Sequence, residues 1–200
     1  MKKTSILSVL ALACVAVFSA CGSKEAKTEE QPAEVVAISV DDVLAKADSL
    51  VGDTIVIEGV CTHLCSHGAM KAFVAGSSDK VMFRCEANPH MGQAFPLEMT
   101  RKPVQVKGIL VEQRVDSAAV AEMEKQYNAA KEQAAAKGQA TSDESGCSTE
   151  RTAQGQGDLT TFDERKADYL QKIAARNEAE GKPYLSFYYL EAISYEVQPE

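Results

Sequence analysis

The feature that most limits the fold of this chain is a set of five strand-like stretches. Thr54–Cys61 and Lys80–Ala87 alternate apolar and polar side chains, as strands with one buried face do. Lys71–Ala75, Pro103–Val111 and the aromatic-rich Tyr184–Val197 have the composition of three more strands. Four neighbouring strands and a late fifth predict a mainly β domain with helices, built on a five-stranded, OB-like Greek-key barrel. A flat meander packed on helices is the alternative.

Helical patterns occupy the gaps between these strands. Ser39 offers a helix cap, and the helix that it begins is expected to end at Gly52. Before the last strand, Ser117–Lys137 and Thr160–Glu180 place apolar residues at helical spacing. The domain is therefore predicted to span 38–200, with a helical hairpin inserted at 116–181. The low-complexity loop at 138–158 within that insertion is rich in Gly, Ser, Thr and Gln, and we expect it to lack regular structure.

The first residues have the pattern of an export signal. Two lysines precede the apolar run Ile6–Phe18, which is too short to span a bilayer, and Ser19-Ala20-Cys21 follows it. The pattern predicts a signal peptide at 1–20, lipid modification of Cys21 and a flexible polar tether over 21–37. We expect a mature chain anchored in the cell envelope by its acyl chains. Gly22, directly after Cys21, favours the outer membrane where the cell has one.

The charge of the chain excludes some functions. It has 29 acidic and 21 basic residues, and loss of the signal peptide removes two lysines, so the mature net charge is about −10. Such a surface repels phosphate backbones, which argues against nucleic-acid binding. The sequence also has no recognisable acid–base pair, phosphate loop or nucleophile elbow, so we do not expect an enzyme.

Cysteine and histidine residues cluster between residues 61 and 90. Thiolate and imidazole are the donors that zinc and copper prefer, and haem is an alternative cofactor. Alternate side chains of an extended strand lie about 7 Å apart, so neighbouring members of the cluster can chelate one ion. The full set of donors can bind one ion only if the chain bends, and Gly68 is where we expect the bend. Strand order should bring the later members of the cluster to the same end of the sheet. The cluster comprises Cys61, His63, Cys65, His67, Cys85 and His90.

The same cysteines allow structural roles. Cys61 and Cys85 both continue apolar faces, so each is equally well a small buried side chain. They could also form a disulfide with each other, which export permits, and Cys61 with Cys65 is another conceivable bridge. Cys147 lies alone in the polar loop, where we expect an exposed thiol without a role.

At His63-Leu-Cys65-Ser-His67-Gly68 the chain resembles a family of small bacterial lipoproteins that has no established activity. Other shared pieces are Glu112-Gln-Arg114-Val-Asp116 and the closing Tyr184–Tyr188 stretch. The resemblance covers most of residues 50–200. It implies an OB-like domain with a metal-ligand triad at His63, Cys65 and His67, although Ala69 and Ala72 replace residues expected in the family.

Three functions follow from these patterns. The first is a metal- or haem-binding module that serves as an envelope carrier or sensor. The second is a non-catalytic interaction module with structural cysteines that binds another envelope protein. The third is a thiol redox accessory protein in which Cys65, flanked by His63 and His67, is the reactive thiol.

Overall fold

The structure is a computed structural model, and it describes residues 36–66, 68–78, 80–138 and 147–199. The predicted signal peptide, the predicted lipidation site Cys21 and nearly all of the predicted tether lie outside these ranges, as does His67. Among the described helices, none has the length and apolar composition needed to cross a membrane.

Six strands and four α-helices form the described part of the chain. The order along the chain follows the predicted pattern, with one short additional strand at the start and one short additional helix in the insertion. The strands are β1 (Ala37–Ser39), β2 (Thr54–Leu64), β3 (Lys71–Ala75), β4 (Met82–Glu86), β5 (Pro103–Asp116) and β6 (Tyr184–Val197). The helices are α1 (Val40–Leu50), α2 (Ser117–Ala136), α3 (Ser148–Ala153) and α4 (Phe162–Glu180).

Five strands close into a barrel. Their order is β2-β3-β4-β6-β5, and β5 pairs again with β2 to complete the closure. β4 and β6 run parallel, whereas the other neighbouring barrel strands run antiparallel. β1 lies outside this barrel and pairs in parallel with β2. The predicted OB-like fold is confirmed, and the flat meander is wrong because the sheet closes on itself.

Apolar side chains that alternate along the strands fill the interior of the barrel. Ile57, Val106 and Leu190 have no solvent exposure and lie in one apolar core with residues from the other barrel strands. Burial of such side chains is the main favourable term in folding, at about 25 cal/mol per Å² of apolar surface removed from water. Helix α1, capped by the Ser39 side chain as predicted, adds Val43 and Ala47 to the same core.

The insertion forms a second, smaller core beside the barrel. β5 and β6 pair from Val104–Val197 to Asp116–Tyr184, with one register shift between Lys107 and Gly108, so they extend as a ribbon on which the predicted helical hairpin of α2 and α4 packs. Val115 and Ile173 lie in the small apolar cluster between these elements. The prediction that 138–158 lacks regular structure is wrong for six of its residues, which form helix α3. Tertiary contacts with β4 stabilise this six-residue helix, which has no clear periodicity of its own.

Candidate functional site

A bulge in β2 separates the clustered residues onto two sides of the barrel wall. The pairing of β2 with β3 shifts register between Cys61 and His63. Cys61 and Leu64 therefore both lie in the barrel core, whereas His63 packs against Phe73, with 5.8 Å between ring centroids. Bulges commonly re-aim a side chain in this way. The alternation read from the sequence, with Cys61 and His63 on one side, is interrupted at this point.

Inside the barrel, Cys61 and Cys85 are neighbouring thiols. Both side chains have no solvent exposure, and the structure describes both as free cysteines rather than as a disulfide. Burial raises the pKa of Cys61 to about 11. Burial, and secondarily the adjacent Cys61, also raises the pKa of Cys85. Burial favours the neutral form of both thiols, whereas the thiolate is the form that coordinates a metal.

Outside the barrel, His63 meets a cysteine from a distant part of the chain. Cys147 is the N-cap residue of α3, and its Sγ lies 3.2 Å from Nε2 of His63, across 84 positions of sequence. Sequence analysis missed this contact because Cys147 has only polar neighbours in the sequence. The cysteine count was the one available sign of a role for Cys147. Apart from the lipidated Cys21, the mature chain has four cysteines, and Cys147 is the fourth.

Ion pairs fix α3 against the barrel and thereby position Cys147. Glu150 is bound through one carboxylate oxygen by Arg84 of β4, and its other oxygen lies 3.2 Å from Nζ of Lys71 on β3. Lys71 is on the strand next to the one that carries His63, and Arg84 is on the strand after that. Arg84 is 10% exposed and Glu150 is 17% exposed, so their contact is stronger than a surface ion pair, whereas Lys71 is 38% exposed and adds less.

The remaining predicted ligands lie at different places. Cys65 is partly buried in the β2–β3 connection, where its amide donates to the carbonyl of Lys71, and the chain turns just beyond it at Gly68, whose φ is +84°. His90 is directed to Glu191 of β6, with 3.2 Å between Nε2 and Oε2. His67 lies outside the described residues. The structure therefore brings His63 into contact with Cys147, whereas Cys85 and His90 contact other residues.

The His63–Cys147 pair has a donor separation suited to metal binding. Bonds of about 2.3 Å to sulfur and about 2.0 Å to nitrogen put the two donors about 3.6 Å apart around a tetrahedral zinc ion. Small movements of the two side chains would bridge the difference from 3.2 Å. Across the described ranges, no group of three or more His, Cys, Asp or Glu side chains is arranged to hold a metal ion. The described pair therefore falls short of the four ligands that zinc usually takes in a structural site.

Comparison with known proteins adds no family to these observations. No protein-family model matches the chain, and no curated protein matches it.

Proposed function

We propose that this chain is a lipid-anchored envelope protein whose OB-like domain binds zinc or copper and acts as a metal carrier or sensor rather than as an enzyme. The observation that carries this proposal is the contact between His63 Nε2 and Cys147 Sγ. Two soft or borderline donors from distant segments meet there on the outer wall of the barrel. Such convergence of thiol and imidazole is the chemistry that both metals favour.

The proposed ligand set combines the structural pair with the nearby connection. His63 and Cys147 supply two donors, and in the proposed site Cys65 and His67 of the β2–β3 connection would supply the others when the metal binds. Four such ligands satisfy zinc, and thiolates suit copper(I). In this arrangement the ion would join the barrel to α3. Its binding free energy would therefore stabilise the docked insertion as well as the site itself.

The surroundings of the pair also suit a metal ligand. The ring of Phe73, which has no solvent exposure, lies beside His63 and holds the imidazole against the wall of the barrel. Glu150, three residues after Cys147, holds the helix that carries the thiol. Both donors are therefore constrained by their own neighbours. Such support by surrounding residues is what lowers the ordering cost of a metal site.

Metal content of the full-length chain, purified in detergent, tests this proposal. After supply of Zn²⁺ and passage over a desalting column, we expect about one equivalent to remain. His63→Ala and Cys147→Ser should each lower retention by about tenfold or more, because loss of a ligand has a larger effect than the 10- to 100-fold loss typical of supporting residues. His90→Ala is the matched control, and it should retain the metal because His90 contacts Glu191 instead. No retention by the parent chain, or full retention by the double variant of His63 and Cys147, would overturn the proposal.

The same contact also favours a second function, thiol–disulfide exchange. His63 would accept the proton of Cys147, and the resulting thiolate would attack a disulfide of an envelope partner and release one thiolate from it. Labelling with iodoacetamide distinguishes the two functions. A redox protein has a Cys147 that reacts rapidly whether or not a chelator is present, whereas a metal protein has a Cys147 that becomes reactive only after chelation.

The anchoring part of the proposal depends on Ser19-Ala20-Cys21. Several acyl chains on one residue give firm attachment, since each buried methylene contributes about 0.8 kcal/mol. Radiolabelled palmitate should be incorporated into the parent chain and not into Cys21→Ala. Incorporation in the variant equal to that in the parent would contradict this part and leave the metal site unaffected.

A further inference from the structure

A cleft lies between α3 and the outer face of the barrel, and Cys147 is not among its lining residues. Its volume is about 260 Å³, somewhat smaller than the pockets of about 300 Å³ and above that hold drug-sized molecules. β4 and β6 form its floor, and α3 and α1 form its sides. Among the lining residues are Leu44, Val81, Met82, Arg84, Glu150 and Phe187.

Arg84 is a rigid, buried cation in the wall of this cleft. Its side chain is 10% exposed, and its guanidinium lies 4.6 Å from the centre of the Tyr189 ring. Nη2 donates to Gln113 at 2.9 Å. Among the described residues, none provides a hydrogen-bond acceptor in line with Nε, although Glu86 lies 3.2 Å away as an ion-pair partner. A buried guanidinium with an unfilled donor is a group that a ligand can satisfy.

The carboxylate of Glu150 occupies the position at Arg84 that a ligand carboxylate would take. It reaches Arg84 from the six-residue helix α3, and it also has a second cation, Lys71, at 3.2 Å. If the carboxylate of a ligand replaced Glu150 as the ion-pair partner of Arg84, Glu150 could remain paired with Lys71. The number of charge pairs would then be conserved, and the exchange would leave no buried charge unpaired.

The other residues that line the cleft favour a ligand with an apolar body and disfavour a cationic ligand. Leu44, Val81, Met82 and Phe187 provide aliphatic and aromatic surface. Lys80, which is exposed, also lines the cleft and adds a positive charge. With Arg84 balanced by Glu150, the lining has a net charge of about +1. This composition fits a small amphipathic anion.

We propose that this cleft binds a small carboxylic acid with an aliphatic body, that Arg84 anchors its carboxylate, and that Glu150 acts as an internal competitor for the same guanidinium. None of the residues that line this cleft is a proposed metal ligand, although Glu150 also docks the helix that carries Cys147. Its failure would therefore leave the proposed function untouched.

Calorimetric titration of the full-length chain with sodium octanoate tests the inference, and octylamine and octan-1-ol serve as probes with the same chain but different head groups. We expect octanoate to bind and the other two to bind at least tenfold more weakly. Glu150→Gln should tighten octanoate binding by about threefold or more, since it removes the competing charge. Arg84→Gln should weaken binding at least tenfold, and Arg84→Lys should lose less because it keeps the charge.

Matched controls separate these effects from general changes of surface charge. Glu122→Gln removes an exposed carboxylate from α2, and Arg101→Gln removes an exposed guanidinium outside the cleft, so neither should change octanoate affinity. Equal binding of the three probes, or unchanged or weakened octanoate binding in Glu150→Gln, would overturn the inference. If Arg84→Gln does not fold, the result for Glu150→Gln decides, because a purely structural Glu150 predicts the opposite direction.

Discussion

The two thiols inside the barrel predict a specific loss of stability at alkaline pH. Cys61 and Cys85 have no solvent exposure, and burial raises the pKa of both, that of Cys61 to about 11. In the unfolded chain a thiol ionises near pH 8.5. Between those two values the unfolded state loses protons that the folded state keeps. The free energy of unfolding therefore does not depend on these thiols below about pH 8, and it falls as the pH rises above that value.

The magnitude follows from the gap between the two pKa values. Within that gap, each pH unit lowers the free energy of unfolding by about 1.4 kcal/mol for each thiol, because one pKa unit corresponds to that free energy. From pH 7 to pH 10 the two thiols together should lower the free energy of unfolding by about 4 kcal/mol. Burial also raises the pKa values of Tyr169, Tyr188 and Tyr189, and their effect begins near pH 10, so measurements should end there.

Urea unfolding followed by circular dichroism at pH 7, 8, 9 and 10 measures this slope. The double variant Cys61→Ala/Cys85→Ala is the control. It starts from a lower stability because of the lost volume, and it should show less than about 1 kcal/mol of change over the same range. A parent chain with a flat profile that becomes steep only after reduction would refute the reasoning, because a disulfide between Cys61 and Cys85 has no thiol to ionise in either state.

Two further predictions concern the insertion. Arg151 is 7% exposed and, within the described residues, its Nε has no hydrogen-bond acceptor, so Arg151→Met should leave the free energy of unfolding unchanged or raise it by about 1–3 kcal/mol. A loss of more than 2 kcal/mol in urea unfolding would show that the guanidinium has a partner. Thr161 and Glu164 form a reciprocal capping box at the start of α4, so Thr161→Ala should cost about 1 kcal/mol in the same assay. No measurable cost would show that the packing of α4 on the β5–β6 ribbon fixes its first turn without the cap.

The fold could be predicted because its strands have regular patterns. Lys71–Ala75 and Tyr184–Val197 have the bounds that composition and alternation gave. β5 continues to Asp116, five residues past the predicted end, because pairing with β6 stabilises a ribbon beyond the barrel. β1 and α3 are too short for any periodicity to identify, and contacts with distant strands decide their structure.

The candidate site was only partly predictable for a related reason. The donor types around residues 61–67 were evident, but a bulge turns Cys61 inward and His63 outward, and alternation alone cannot reveal a register shift. Cys147 reaches His63 only because Glu150 docks α3 onto Lys71 and Arg84. That docking is a tertiary event between residues more than 60 positions apart, and the local sequence around Cys147 carries no sign of it.

X-ray absorption at the zinc edge, on the full-length chain loaded with one equivalent of Zn²⁺, tests the metal site most directly. The ligand set of His63, Cys147 and the β2–β3 connection predicts sulfur at about 2.3 Å together with nitrogen at about 2.0 Å. In Cys147→Ser the sulfur contribution should fall by the share of one thiolate. A spectrum with only oxygen and nitrogen neighbours, or one that Cys147→Ser leaves unchanged, would contradict a metal held between the barrel and α3.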